Sequence, residues 1–162
     1  RILASEDGGT VVRPDLEAAV LRATNAYRAS KGLAALKPVK AKLLLAARAH
    51  AMDLLLNADM GHTSSTGHGF ESRMRAFYPG QLALPTMAEN AARLRNAQGA
   101  NAEKAQRLVS QWIGSSGHRR NMTNRSYTTI AIGVVSRGDD VYAVQIFSGP
   151  QVKTNMFGSN TP

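Results

Sequence analysis

The chain has 162 residues, with 20 Lys and Arg against 11 Asp and Glu, for a net charge of +9. That length fits one domain that buries a core without metal or disulfide staples, and 43% apolar with 19% charged residues argues against wholesale disorder. Cysteine is absent, which removes disulfides, thiolate metal sites and cysteine nucleophiles. The surplus of positive charge favours anionic partners: nucleic acid, anionic lipid or an acidic wall polymer.

Residues 1–13, which include Gly8-Gly9, read as an N-terminal extension with little packing of its own. The chain opens at Arg1 with no initiator Met and no signal peptide, so it reads as a trimmed or processed form. Pro14-Asp15-Leu16-Glu17 starts a helix: proline suits the first turn and the acidic residues complement the positive end of the dipole. Leu16, Val20, Ala23 and Tyr27 recur at helical spacing, and Gly32 is its stop.

A second helix is expected from about Val39 to Asn57, with Leu43, Ala47, Ala51 and Leu54 on one face. The most apolar window, Leu43 to Leu56, is broken by Arg48, His50 and Asp53, so no membrane-spanning helix is expected. Gly61 to Gly69 is rich in Gly, Ser and Thr and reads as a loop. Phe70 to Phe77 is a short helix carrying Arg73 and Arg75, closed by Pro79-Gly80. Met87 to Leu94 is ambiguous between helix and strand by pattern alone.

Asn101 begins a helix with Ala105, Leu108, Val109 and Trp112 on its inner side. It runs into Ser116-Gly117-His118-Arg119-Arg120-Asn121, read as a helix-to-strand junction able to aim His118 into a cleft. Thr128 to Val135 and Val141 to Phe147, joined by the turn Arg137-Gly138-Asp139-Asp140, read as an antiparallel hairpin. The stretch after Gly149 loses periodicity and reads as a tail. Several helices around a short antiparallel sheet make an α+β fold, an α-β-α sandwich in layers.

Candidate chemistry gathers on His62, Glu89 and His118. Two imidazoles can hold a divalent transition metal, with a carboxylate as third ligand, outer partner or base. Glu89 lies in a mostly apolar stretch, so it is either paired (to His62 or to an arginine) or functional, with an acid/base role open to it if burial raises its pKa. His50, beside the apolar face of the second helix, reads as a hydrogen-bonded core histidine. Glu71 reads as a solvated helix-start residue rather than a second catalytic carboxylate. Arg119, Arg120 and Arg125 form a basic cluster able to hold a carboxylate or phosphate. No Gly-x-Ser-x-Gly elbow and no phosphate-binding glycine pattern occurs. Few aromatics interleave with the basic residues, so nucleic acid is not the expected partner.

These stretches resemble, in order, a bacterial member of the CAP superfamily, which includes cysteine-rich secretory proteins, venom allergens and plant pathogenesis-related proteins. Asn25-Ala26-Tyr27-Arg28 with Gly32-Leu33 is similar to the family's first helix and its exit. Ala47 to Asp53 followed by Gly61-His62-Thr63 resembles the second helix and its loop, and Glu89-Asn90-Ala91-Ala92 resembles the Glu-Asn strand. Trp112, Gly117-His118-Arg119 and Asn121 match the late Trp and Gly-His-Arg-x-Asn segment. The match covers about residues 14–149, leaving 150–162 as a C-terminal tail.

The resemblance implies a central three-stranded antiparallel sheet between helical layers, with Met87 to Leu94 extended. It also implies a cavity where two His and two Glu gather, often around a divalent cation, zinc first. His62, Glu89 and His118 fill three of those places. The fourth would fall near Ser115, yet no acidic residue occurs between Glu103 and Asp139. Ser116 stands where bacterial relatives commonly have Pro.

What the resemblance implies is an extracellular or periplasmic domain. It would bind a lipid, a small hydrophobic molecule or an envelope polymer such as peptidoglycan through His62, Glu89, Asn90, His118 and Arg119. The alternative is an enzyme that cleaves peptidoglycan or peptides, with Glu89 as acid/base and His62 and His118 catalytic or metal-binding.

Overall fold

The structure is a computed structural model and describes residues 9–81 and 83–150. The proposed tail beyond Pro150 and the first eight residues of the proposed extension lie outside the described residues. In chain order the elements are β1 (Thr10–Val12), α1 (Pro14–Ser30), β2 (Lys37–Pro38), α2 (Lys42–Leu56), α3 (Phe70–Phe77), β3 (Met87–Leu94), α4 (Asn101–Gly114), α5 (Ser116–Thr123), β4 (Thr129–Arg137) and β5 (Asp140–Ser148).

The sheet runs β1-β4-β5-β3, with β2 joined parallel to the start of β4. Its centre is the expected three antiparallel strands, β4, β5 and β3; the short strands β1 and β2 add to the outer side of β4. β1 departs from the reading of residues 1–13 as unpacked: Thr10 to Val12 pair with Val135 to Arg137, and Thr10 is buried. The signal is weak because three residues cannot establish a period.

Side chains on β4 and β5 alternate between two cores, as the pleat requires. Ile130, Ile132, Val134 and Phe147 face α1 and α4, where Leu16, Val20, Leu108 and Trp112 pack. Ala131, Val135, Val144 and Ile146 face α2, where Ala47, Ala51 and Leu54 pack. On that second face Gly133 is the point of closest approach. A Cβ there would lie 2.3 Å from the backbone nitrogen of Arg48 and 2.4 Å from the carbonyl carbon of Ala47. The alanine face of α2 and the bare β4 backbone thus fit together, and a methyl group would push the helix off.

Gly138, with φ at 54°, occupies one of the two loop positions of the β4–β5 hairpin, where right-twisted strands need a positive φ. The main correction concerns Ser116 to Asn121. It is not a loop junction but most of a second helix, α5, separated from α4 by Ser115 alone. Propensity hides it, since Ser116, Gly117 and Asn121 are poor interior helix residues. Tertiary contacts supply what propensity lacks: Met122 is fully buried, and the Arg28 guanidinium donates to the carbonyls of Met122 (2.8 Å) and Asn124 (3.2 Å) at the end of the helix.

Candidate functional site

β3 is the outermost strand of its side of the sheet, and consecutive side chains on it face opposite layers. Glu89 turns towards α2 and α3, while Asn90 turns towards α1 and α5. The loop after α2 brings His62 to Glu89, and α5 brings His118 to the same place from the other layer. The two rings meet edge-to-face, centroids 6.4 Å apart at 70°. His62, Glu89 and His118, at successive intervals of 27 and 29 positions along the chain, are thus brought together.

Glu89 is a buried carboxylate, its side chain 1% exposed, and it is fully engaged. Arg73 grips both oxygens, at 2.7 and 3.0 Å, and the same guanidinium donates to the His62 carbonyl at 2.9 Å. His62 Nδ1 lies 3.0 Å from Glu89 Oε1, and the buried His50 Nε2 lies 3.6 Å from the same oxygen. Burial pushes the Glu89 carboxyl up. The hydrogen bonds from His62 and Arg73, with the charges of Arg73 and His50, outweigh burial and hold it below the ordinary value. The raised pKa that an acid/base role would need is thus absent, and Glu89 is ionised at neutral pH.

The two imidazoles differ from Glu89 in access. The His62 side chain is half exposed. His118 is partly buried, and burial followed by the neighbouring His62 charge lowers its pKa, which keeps it neutral near pH 7. Its backbone is fixed from below. Asn90 Nδ2 donates to the His118 carbonyl (3.1 Å) and to Gln145 Oε1 (3.1 Å), and Asn121 Nδ2 donates to Asn90 Oδ1 (2.9 Å). Gln145 in turn donates to Thr24 Oγ1 at 2.8 Å. Asn90 is wholly buried in this network, so it orients α5 against β3 and does not line the surface.

Other candidates fall elsewhere. Arg119 is on the opposite face of α5, donating to the Ile113 carbonyl at 2.8 Å. Glu71 is exposed and paired with Arg75, one helical turn on. His50 is the hydrogen-bonded core histidine it was read as, 2.8 Å from the Gly61 carbonyl. Its proximity to Glu89 was not legible. Nor was Arg73, singled out only as a residue of α3; the need of an isolated buried carboxylate for a cation was the one available signal.

A family model described as the cysteine-rich secretory protein family, CAP, matches residues 21–147. The chain belongs to this family. Among curated proteins, this CAP domain is 30% identical over 122 residues to the uncharacterized protein YkwD of Bacillus subtilis, a stretch covering 75% of this chain and 43% of YkwD. The chain therefore spans less than half the length of that relative.

Two solved structures share the CAP fold. One is an extracellular protein containing an SCP domain from Bacillus anthracis, with a TM-score of 0.66 and 24% identity, covering 84% of this chain and 41% of that one. The other is an outer surface protein of Borrelia burgdorferi, with a TM-score of 0.71 and 16% identity, covering 89% of this chain and 99% of that one. No described helix of this CAP domain is long and apolar enough to cross a membrane.

Proposed function

We propose that this CAP domain is an exported binding module that takes a polar group of a cell-envelope polymer, peptidoglycan first, between the His62 and His118 rings. Export is supported by likeness to an extracellular and an outer-surface protein. The observation that carries binding over catalysis is the state of Glu89, which is buried, ionised and already held by Arg73 and His62. A general acid must hold a proton to give, and an acid or base must reach the reacting atom. Glu89 meets neither condition and serves to fix the His62 ring.

The half-exposed His62 ring and the partly buried His118 ring offer hydrogen bonds to hydroxyl, amide and carboxylate groups, which glycans and peptides display. A polar rim of this kind favours an envelope polymer over a lipid tail or a small hydrophobic molecule. A divalent cation, zinc first, would be held by His62 Nε2 and His118, with Glu89 as the outer partner of His62. Two imidazoles fall short of the three or four protein ligands zinc usually takes, and the Glu89 oxygens are engaged by Arg73 and His62.

Purified peptidoglycan is the test. The protein is expected to co-sediment with it and release no soluble fragments, and His62→Ala with His118→Ala is expected to abolish co-sedimentation. Release of fragments that Glu89→Gln stops would establish the enzyme, cleaving a wall glycan or peptide, in its place.

A further inference from the structure

Helix α5 has two working faces. His118, Asn121 and Met122 point inward and towards β3; Arg119, Arg120 and Thr123 lie on the other side and, with Tyr27 and Lys31 of α1, line an open pocket of about 350 Å³. That pocket shares Leu33 and Arg125 with a neighbouring one of about 540 Å³ that continues past Arg28 and Lys37 to Thr129. Together they form one continuous groove, on the opposite side of α5 from the His62–His118 pair.

Its electrostatics are one-sided. Lys31, Lys37, Arg119, Arg120 and Arg125 line it, and among the described residues no carboxylate does. Ion pairs among the described residues use other arginines: Arg13 with Asp15, Arg48 with Glu17, Arg73 with Glu89 and Arg75 with Glu71. Beneath the groove lies Arg28, 2% exposed, whose guanidinium meets the carbonyls of Ala34 (2.9 Å), Met122 and Asn124. A buried cation that meets only carbonyl dipoles among the described residues adds positive potential to the floor, and a concave low-dielectric wall focuses it.

We propose that this groove binds a linear polyanion carrying repeated phosphates, of the kind an anionic wall polymer presents. Arginine forks match phosphate oxygens two at a time, and two adjoining pockets lined by five cations suit a chain rather than a single ion. A membrane surface fits less well. The exposed large apolar residues among those described, Val11, Leu45 and Leu56, lie outside the groove, and its shared Leu33 is only partly exposed. Nucleic acid is disfavoured because the one aromatic ring of the α1–α5 pocket, Tyr27, carries Lys31 Nζ 5.7 Å from its centroid and is not free to stack on a base.

The test uses inorganic polyphosphate as probe, titrated calorimetrically at several salt concentrations. With about four cations engaged, log K is expected to fall against log salt with a slope of about −2.8, a loss of about 50-fold between about 50 and 200 mM salt. Arg120→Ala with Arg125→Ala should halve that slope. Lys42→Ala with Arg107→Ala, which removes the same charge elsewhere, should leave it close to wild type. His62→Ala with His118→Ala should bind polyphosphate unchanged, which separates this site from the His62–His118 pair. Equal weakening by the two charge-removing pairs would reduce the groove to general surface charge and overturn the proposal. Binding to phosphatidylglycerol vesicles or to single-stranded DNA, but not to polyphosphate, would overturn it in favour of a membrane or nucleic-acid surface.

Discussion

Glu89 and Arg28 are both ions taken out of water, on opposite sides of α5, and the protein treats them differently. Around Glu89 the charge is cancelled on the spot, by Arg73 on both oxygens and by His62 and His50 nearby. Around Arg28 only neutral carbonyls respond, and more cations stand above it. An ion neutralised internally is part of the scaffold and is spent on positioning. Positive charge left uncancelled and open to solvent is available to something else.

The largest expected effect comes from breaking the neutralised side. Arg73→Met leaves a buried carboxylate without its main partner and should cost about 3–5 kcal/mol in urea unfolding. Adding Glu89→Gln should return most of that loss, because the penalty belongs to the stranded charge and not to the missing contact. A double variant as unstable as the sum of the two singles would mean that the pair is not coupled as the geometry requires.

Arg28→Met should cost less, about 2 kcal/mol. It removes charge-assisted bonds to three carbonyls but also removes a desolvated cation, and no opposite charge is left behind. The loss should concentrate at the end of α5, visible as faster amide exchange there than in α2. A uniform change across the chain would show that Arg28 is not the clasp of that helix.

The two sides should also separate with pH. The folded Glu89 carboxyl sits below its unfolded value, so its contribution is complete above about pH 4.3 and is lost as pH falls through the folded value. His118 acts in the same direction at higher pH. Burial and the neighbouring His62 charge depress its folded pKa, so stability declines as pH falls below about 6.5 towards that value. Urea midpoints between about pH 3 and 7 should therefore fall on the acid side, and Arg73→Met with Glu89→Gln should flatten the lower limb alone. Arg28 stays protonated throughout this range, so Arg28→Met should shift the curve without changing its shape.

The same contrast explains what was legible in the sequence. Helix starts and the hairpin were, because Pro14, Gly32 and the Arg137 to Asp140 turn act over a few residues. The meeting of His62, Glu89 and His118 followed from a family resemblance carried by short motifs; spacing alone did not force it. What stayed hidden depends on partners distant along the chain. Arg73 looks like any helix-surface arginine until α3 folds across β3. Residues 116–123 look like a loop until Arg28, 94 positions before Met122, closes on them. Arg119 was grouped with His118 because they are neighbours in sequence, yet one residue along a helix is a rotation of about 100°, enough to put it in the other region.

The smallest expected effect is the most discriminating for the uncancelled side. Arg120 and Arg125 are exposed, and no carboxylate lies among the residues lining their groove. Replacing both by alanine should change stability by less than about 0.5 kcal/mol, the range of ordinary surface substitutions. Slight stabilisation is the favoured sign, since like charges crowd the groove. Side chains needed for the fold would cost more, as Arg73 and Arg28 are expected to. Near-zero cost in unfolding, combined with a halved salt slope in polyanion binding, is the signature of residues held for a ligand. A loss above about 1 kcal/mol would place Arg120 and Arg125 with the scaffold and remove the contrast between the two sides of α5.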